Sequence, residues 1–347
     1  MRKIYLLTVM TVLSLSVWAW NSPVTIPDVG NARIRIVGQN AENYVSVLTA
    51  SNSKCHTQAD FQAKTNKMAN AFLALQADIV AICEVQRDDE ILSYICNAMN
   101  TLSGLTVYTY VTDGIDGAIL SEDNYMPLKS GFIYRSDKVT PVGSSSSPYY
   151  YEGEYNSRLR IQAFKENSTD EIFTLSMNHF KAKSGSDQGA STRRTNANYL
   201  VSALNNISYD PDILIMGDLN AYMGEEAIEI LENAGYDEQL IVYDENAYTY
   251  NYYGSLGILD HVMANSTMAT QITGAYAYHI NTAGGYNYKY SDHDAVVVGV
   301  NLGMQQGDGF EQTTTLPDAL KVLINGVIYI ELNGTRYDLF GRHITDY

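Results

Sequence analysis

The sequence predicts an α/β (α+β) fold in which helices alternate with strands buried inside the domain. The first observation is the apolar run at 79–83, which is typical of a strand covered on both faces. The second is the segment 57–76, where Phe61, Met68 and Phe72 share one helical face. The third is that polar residues recur where the predicted strands end, which is the edge where layered α/β proteins usually hold their sites.

The other elements follow from the same two periodicities, taken in chain order. Alternating apolar and polar residues predict a first strand at 33–39, which ends at Asn40. Further strands are predicted at 131–135, 159–164, 173–177, 213–216 and 295–300, and further helices at 88–100, 192–206 and 225–233. This alternation of helix and strand is what an α/β domain requires.

Size and charge limit the class of protein. The chain has 347 residues, of which 46% are hydrophobic and 18% charged, which is enough for a large core in one domain plus an appendage. Its formal net charge is -17, so it offers no basic stripe that would attract nucleic acid at long range. A bridging cation can offset this charge locally. The acidity therefore disfavours tight unspecific DNA binding, but it does not disfavour phosphoester chemistry.

The N-terminal segment 1–19 predicts an export signal. Arg2 and Lys3 precede an apolar run at 4–17, and Ala19 ends a small-residue cleavage site. The run is too short for a comfortable membrane span, and an uncleaved anchor is the alternative. We therefore expect a signal peptide, no stable membrane span, and a protein that is secreted, periplasmic or held at the cell surface.

Three cysteines occur in the sequence, and exported proteins can oxidise cysteines in pairs. Cys83 lies within an apolar strand and is expected to be a buried thiol. Cys55 and Cys96 flank that unit, so they either form a disulfide or remain free. The odd number of cysteines leaves both alternatives open.

The C-terminal part differs in composition from the rest. Residues 303–318 predict a linker after a main domain at 31–302. Within 319–347, two Asn-Gly dipeptides that begin at Asn325 and Asn333 separate short apolar runs, which is a strong hairpin signal. The tail is therefore expected to form a small three-stranded β-meander, which is too small to be stable without a partner.

Two strand ends carry carboxylates suited to catalysis. Glu84 follows an apolar run and is either a solvated strand end or a ligand for a hard cation such as Mg²⁺. In the string GDLN at 217–220, a spacing of two on an extended chain places Asp218 and Asn220 on the same side. Asp218 can take a proton from water and Asn220 can orient that water, although an ordinary turn uses the same residue types.

Three histidines accompany charged residues. The aspartates at 260 and 292 directly precede His261 and His293, and a carboxylate beside an imidazole favours its charged form. A cationic imidazole can stabilise negative charge that develops on phosphorus. His179 ends a predicted strand and is followed by Lys181, a combination that suits a phosphate oxyanion. Alone, each Asp-His pair is more often a surface pair than a site, and a single histidine at a strand end is usually structural.

Taken in order, these features resemble the motifs of the endonuclease/exonuclease/phosphatase (deoxyribonuclease I-like) family. The matching strings are IVGQN with Asn40, DIVAICEVQ with Glu84, MNHFKAK with His179, GDLN with Asp218 and Asn220, LDHV with Asp260, and SDHD with Asp292 and His293. Each string is common by itself, whereas six of them in this order across residues 31–302 are specific. The resemblance implies a four-layer α/β/β/α sandwich, in which two mixed β-sheets face each other and helices cover both.

The resemblance also implies a role for each residue. Asp218 resembles the residue that activates the attacking water, and Asp260 the residue that holds His293. Arg160 is the alternative to Arg158 as the phosphate-binding arginine, because the prolines that usually follow this arginine are absent. The implied sets are Asn40, Glu84 and Asp292 for the metal, which is Mg²⁺ with Mn²⁺ or Ca²⁺ as alternatives; His179, Asp218, Asn220, Asp260 and His293 for catalysis; and Arg158, Asn178 and Lys181 for the substrate phosphate.

These inferences lead to three functional hypotheses. The first is a secreted, monomeric, metal-dependent nuclease that cleaves phosphodiester bonds in DNA or RNA. The second is a phosphatase or a sphingomyelinase-like lipid phosphodiesterase on the same scaffold. The third is a non-catalytic surface binding module, which the complete set of Asp218, Asn220, Asp292 and His293 disfavours.

Overall fold

The computed structural model describes residues 22–114, 120–147, 158–207 and 209–303, together with the backbone of four short tail segments. The predicted signal peptide and residues 304–318 of the predicted linker lie outside this part of the chain. Within it, none of the helices combines the length and the apolar character that a bilayer span requires. The described residues divide into two compact units, with the boundary after Gly303.

Two six-stranded β-sheets form the centre of the first unit. In chain order its described strands are β1 (Ile34–Tyr44), β2 (Ile79–Gln86), β3 (Tyr108–Tyr110), β4 (Leu128–Arg135), β5 (Val139–Ser146), β6 (Leu159–Glu166), β7 (Ile172–His179), β8 (Ile213–Asp218), β9 (Tyr236–Glu238), β10 (Tyr250–Tyr252), β11 (Ser255–Gly257), β12 (Asp260–Asn265), β13 (Ile272–Tyr278) and β14 (Ala295–Val300). The helices are α1 (Gln58–Ala74), α2 (Glu90–Ser103), α3 (Ala190–Leu204), α4 (Glu226–Asn233), α5 (Leu240–Tyr243) and α6 (Ser266–Ala269).

Both sheets are mixed. The first has the order β13-β14-β1-β2-β4-β3, and the second has the order β5-β6-β7-β8-β12-β9. In each sheet one parallel pair, β1 with β2 and β7 with β8, lies among antiparallel neighbours. Strands β10 and β11 pair only with each other in the sheet order and form a separate hairpin. The parallel pairs matter most for function, because their carboxyl ends lie at the same edge of the sandwich.

The buried apolar clusters define the layers. Ile36 and Ala81 of the first sheet share a cluster with Leu175 and Leu214 of the second, so the two sheets pack face to face. Helices α1 and α2 pack on the outer face of the first sheet, and α3 and α4 pack on the outer face of the second. The predicted four-layer α/β/β/α sandwich is therefore confirmed.

The first strand is longer than predicted. Instead of ending at Asn40, β1 continues to Tyr44, which pairs with Val85 of β2. The pairing register shifts between Asn40 and Tyr44, where Glu42 and Asn43 have φ of 47° and 50°. Such a bulge bends the strand and redirects its side chains. Here it lies beside the strand end that carries Glu84.

All three cysteines are buried free thiols, so the structure does not contain the Cys55–Cys96 disulfide. Cys83 lies between the two sheets, as an apolar strand residue should. Cys55 and Cys96 lie in the cluster beneath α1 and α2. Burial raises the pKa of the Cys96 thiol to about 12, which keeps it protonated and unreactive.

In the described residues the C-terminal unit forms a meander of four strands, where three were predicted. Strands β15 (Leu320–Ile324), β16 (Val327–Leu332), β17 (Thr335–Tyr337) and β18 (His343–Ile344) pair in sequence order, each antiparallel to the next. The last strand has two residues, which is too short to show any alternation of apolar and polar side chains. Both Asn-Gly dipeptides lie outside the described residues.

Candidate active site

Ionisable side chains from both sheets meet at one edge of the sandwich. His179 at the end of β7 pairs with Asp218 at the end of β8, and Asp218 pairs in turn with Asp260 at the start of β12. Backbone pairing therefore places three functional groups side by side. From the first sheet, Nδ2 of Asn40 donates to Oε1 of Glu84 (3.1 Å) and to Oδ2 of Asp218 (3.0 Å). This amide joins the two sheets at the site.

Gly217 allows β7 and β8 to approach each other closely at this edge. Its φ is 130°, a conformation that side-chain-bearing residues rarely adopt. A Cβ at this position would lie 2.0 Å from the carbonyl oxygen and 2.7 Å from the amide nitrogen of Asn178. The glycine of the GDLN string is therefore a packing requirement, and it sets the separation between Asp218 and His179.

His293 is held by Asp260 and faces Asp218. Its Nδ1 lies 2.7 Å from Oδ2 of Asp260, and its Nε2 lies 3.8 Å from Oδ2 of Asp218. Burial opposes the charged form, but the carboxylates of Asp260 and Asp218 outweigh it and raise the pKa of His293 well above its usual value. The imidazole is therefore a cation at neutral pH and can donate from Nε2. The neighbouring His261 is buried against Glu238 and Ala221, away from the row of His179, Asp218 and Asp260.

His179 has the opposite character. Its Nε2 lies 3.4 Å from Oε1 of Glu84 and 3.8 Å from Oδ2 of Asp218. Burial and the positive charge of Arg158 lower the pKa of His179 to about 3. This imidazole is neutral, so one of its two ring nitrogens has a lone pair that can bind a cation, whereas His293 brings a proton.

Three potential ligand atoms for a metal ion come from Glu84, His179 and Asp218, and they lie within 4.8 Å of one another. Two carboxylates and a neutral imidazole form a donor set that suits a divalent cation of the first transition row or Mg²⁺. The set predicted from sequence shares Glu84 with this group. Asn40 instead presents its nitrogen to the carboxylates, while its Oδ1 accepts the Glu42 N–H at 2.9 Å, so it acts as a bridge.

Asp292 lies at the margin of the site. It is partly exposed, and its negative charge acts on His293 and, together with that of Glu84, on Lys54 and Lys64. It is thus in the same electrostatic environment as Glu84, although it does not belong to the group of three ligand atoms.

Asn220 is bound to Asp218 in this structure. Its backbone N–H donates to Oδ1 of Asp218 at 2.9 Å, and its Nδ2 donates to Oδ2 at 3.1 Å. The φ of 50° at Asn220 folds the chain back so that both donors reach the same carboxylate. Burial and the charge of Asp260 raise the pKa of Asp218, against the opposing charge of His293. Asn220 therefore fixes the orientation of a carboxylate that is poised to accept a proton.

Of the predicted phosphate-binding residues, Arg158 and Lys181 lie beside the site, whereas the alternative Arg160 does not. Arg158, Lys181 and His179 line one small pocket, which gives two cationic side chains beside the row of ionisable groups. Arg160, the alternative arginine, is buried and donates to Oγ of Ser145 at 2.9 Å.

The structure does not bring Asn178 into the site. Asn178 is fully buried, and its Nδ2 donates to the carbonyl of Met216 at 3.1 Å. Its side chain points to the opposite face of β7 from that of His179, because successive strand residues alternate.

Three contacts of the site were not among the sequence-based predictions. The Asn43 N–H donates to Oε2 of Glu84 at 2.9 Å, a contact that any residue type at 43 could make. Ser291 donates to the carbonyl of Asn40 at 2.6 Å, and its position before Asp-His was a usable signal. The ring of Tyr250 lies 4.5 Å from the ring of His293, and no local pattern indicates that contact.

A model of the Endonuclease/Exonuclease/phosphatase family matches residues 52–293. The chain belongs to this family. The match includes Glu84, His179, the GDLN string, Asp260 and the SDH motif with His293. Membership supports phosphoester hydrolysis as the class of reaction. No curated protein sequence matches the chain.

Solved structures of low sequence identity share the fold. A family member from Bacteroides vulgatus superposes with a TM-score of 0.56 at 14% identity, covering 77% of this chain and 98% of that one. D. rerio TDP2 in complex with a single-strand DNA product gives 0.53 at 13% identity, with 77% and 98% covered. Bacteroides thetaiotaomicron mannosyl-6-phosphatase gives 0.52 at 14% identity, with 77% and 99% covered. These structures extend the agreement from sequence motifs to the sandwich itself.

Proposed function

We propose that the protein is a secreted, monomeric, divalent-metal-dependent phosphodiesterase that hydrolyses DNA or RNA. The observation that carries the proposal is the row of His179, Asp218 and Asp260, completed by His293 and faced by Glu84. The row offers a proton acceptor, a cationic proton donor and a group of metal-ligand atoms within one small volume. Metal-assisted hydrolysis of a phosphodiester can use all three functions.

The chain's own residues account for most of the reaction. A divalent cation held by Glu84, His179 and Asp218 would neutralise charge on the substrate phosphate. Asp218, oriented by Asn220, accepts a proton from the attacking water. As the bond from water to phosphorus forms, the bond from phosphorus to the leaving oxygen breaks, and His293, oriented by Asp260, donates its Nε2 proton to that leaving oxygen.

The cations beside the row would bind the substrate phosphate before reaction. Arg158 and Lys181 lie at the pocket shared with His179, where they can contact the non-reacting phosphate oxygens. No covalent intermediate with the chain is required, because water is the nucleophile.

Two observations bear on the substrate. The structural similarity to TDP2 bound to single-strand DNA supports a nucleic acid. The net charge of -17, and the similarity to a mannosyl-6-phosphatase, support a phosphatase acting on one small phosphoester as the second candidate. A nuclease with this charge must hold its substrate mainly at the scissile phosphate. We therefore expect a shallow dependence of DNA or RNA binding on salt concentration.

A substrate panel tests the proposal. Duplex DNA, single-strand DNA, RNA, mannose 6-phosphate, sphingomyelin and bis(4-nitrophenyl) phosphate are assayed with Mg²⁺, Mn²⁺ or Ca²⁺, and with EDTA. We expect cleavage of a nucleic acid and of the generic diester. EDTA and the His293→Ala substitution should abolish this cleavage, whereas the control variant His56→Ala, at an exposed residue, should retain it. Full activity in EDTA would refute the metal requirement, and turnover of the monoester alone would replace the nuclease with the phosphatase.

Export is tested separately. The full chain expressed in a bacterium with an outer membrane should appear outside the cytoplasm without residues 1–19. Retention of Met1 on the recovered protein, established by mass spectrometry, would contradict the predicted cleavage.

A further inference from the structure

The hairpin formed by β10 and β11 is attached to the active site. Tyr250 pairs with Gly257 and Tyr252 with Ser255, and an isolated antiparallel bridge joins Tyr250 to His293. The Tyr250 ring lies 4.5 Å from the His293 ring with an interplanar angle of 37°. We call residues 250–257 the tyrosine hairpin. Its base therefore rests on the imidazole that faces Asp218.

The tyrosine hairpin exposes large side chains next to this imidazole. The exposed fractions are 57% for Tyr252, 95% for Tyr253 and 55% for Leu256. The Tyr252 and Tyr253 rings are in edge contact, with centroids 4.9 Å apart. None of the eight residues in the segment YNYYGSLG carries a charge. The tyrosine hairpin is thus an uncharged, largely aromatic segment within a strongly acidic protein.

The turn of the hairpin is strained at an aromatic residue. Tyr253 has a φ of 48°, followed by Gly254 with a φ of 95°. Two consecutive positive φ values are typical of the tightest hairpin turn, whose first position favours asparagine, aspartate or glycine. A bulky residue there is an outlier, and such strain is concentrated at functional positions. The Tyr253 ring is nearly fully exposed, so folding gains little from it.

We infer that the tyrosine hairpin binds a nucleobase of the substrate, which stacks on the face of one ring of the Tyr252–Tyr253 pair, with the other ring at its edge, while the adjoining phosphate lies at His293. This inference rests on the proposed nuclease function and specifies how the substrate is held. A hairpin without cations is unsuited to phosphate, whereas exposed tyrosine rings stack on the faces of all bases. Stacking also supplies affinity that does not depend on positive charge. A protein of net charge -17 cannot obtain its affinity for a nucleic acid from its overall charge.

Dinucleotides with and without a base provide the test. The full-length protein, loaded with the metal that supports activity, is assayed on a dinucleotide and on two analogues, each with an abasic sugar on one side of the phosphate. We expect kcat/KM to fall on the order of tenfold or more when the base on one particular side is removed. The Tyr252→Ser/Tyr253→Asn variant should show the same fall on the intact dinucleotide and little change on that abasic analogue.

Two further variants separate binding from folding. Asparagine tolerates positive φ better than tyrosine, so Tyr253→Asn should melt at or above the wild-type temperature while it loses part of the base preference. Tyr209→Ala is the control. Tyr209 is 53% exposed, which is similar to Tyr252, but it precedes β8 at the end opposite Asp218. This variant should not change kcat/KM on any of the dinucleotides.

The outcomes distinguish the inference from the proposed function. Equal cleavage of the intact and both abasic dinucleotides by the wild type overturns the inference and leaves the nuclease function intact. A loss of activity in the Tyr252→Ser/Tyr253→Asn variant that is the same on every dinucleotide also overturns it. If the wild type cleaves no dinucleotide but hydrolyses a sugar phosphate, the nuclease function fails and the inference fails with it.

Discussion

Replacement of Gly217 by alanine should damage both stability and turnover, because this glycine sets the distance between β7 and β8. The new Cβ would lie 2.0 Å from a backbone oxygen and 2.7 Å from a backbone nitrogen, both of Asn178. Neither atom can rotate away as a side chain would. The overlap can be relieved only if the two strands separate at the edge that carries Asp218 and His179.

The magnitude follows from two contributions. A non-glycine residue held at a φ of 130° loses on the order of 1–3 kcal/mol through backbone strain. Overpacking a well-filled site costs about 1–3 kcal/mol more. We therefore expect Gly217→Ala to lower the free energy of unfolding by about 4 kcal/mol and the melting temperature by about 10 °C. A displacement of about 1 Å between reacting groups can lower kcat about a hundredfold.

Thermal unfolding and kcat on the generic diester measure both effects. Gly104→Ala is the matched control, because Gly104 also has a positive φ, 72°, but no described atom lies within 4 Å of its Cβ position. It should lose about 1 kcal/mol from backbone strain alone and keep full activity. If the two variants melt at the same temperature and are equally active, the close approach of the strands does not set the geometry of the site.

Three further predictions concern the site, the core and the tail. The effects of Asp260→Asn and His293→Ala on kcat should each be about a hundredfold and clearly less than additive, because the two residues share one hydrogen bond; additive losses would contradict this. Lys129→Met should lower the free energy of unfolding in urea by about 3 kcal/mol, because it leaves two carboxylates beside a buried site, whereas Lys165→Met at an exposed ion pair should change it by less than about 1 kcal/mol. Truncation after Gly303 should leave kcat unchanged, because every catalytic motif precedes it; inactivity of a truncated protein with native circular dichroism would show that the tail contributes to the site.

Local patterns were sufficient to predict an α/β domain with buried strands, whereas the four layers were implied by the family resemblance. The run 79–83 is apolar at every position because β2 packs on α1 and α2 with one face and on the second sheet with the other. The extension of β1 to Tyr44 was not predictable, because it depends on a bulge that rejoins β2 at Val85. A two-residue strand such as β18 carries no periodicity at all.

The candidate site was only partly accessible from sequence. Strand ends identified Glu84, Asp218 and His179, because a charged residue directly after a buried strand needs a specific environment. Asn178 was predicted to be in the site because it precedes His179 in the same motif. Successive strand residues point to opposite faces, so its side chain points away from the site. The direction of the Asn40 amide depends on the Glu42 N–H within the bulge, and the Tyr250–His293 contact joins residues that are 43 positions apart in the chain. Contacts of that kind depend on tertiary structure alone.

The row of His179, Asp218 and Asp260 spans three neighbouring strands, so the hydrogen bonds of one sheet determine the spacing of the reacting groups. Connections that leave the strand ends can lengthen, shorten or change sequence without altering that spacing. The segment between α5 and β12, which contains the tyrosine hairpin, is such a connection. Evolution can therefore exchange one substrate for another by remodelling a connection while the reaction is preserved. For the same reason, this segment is the natural place to graft a new recognition element onto an existing hydrolase.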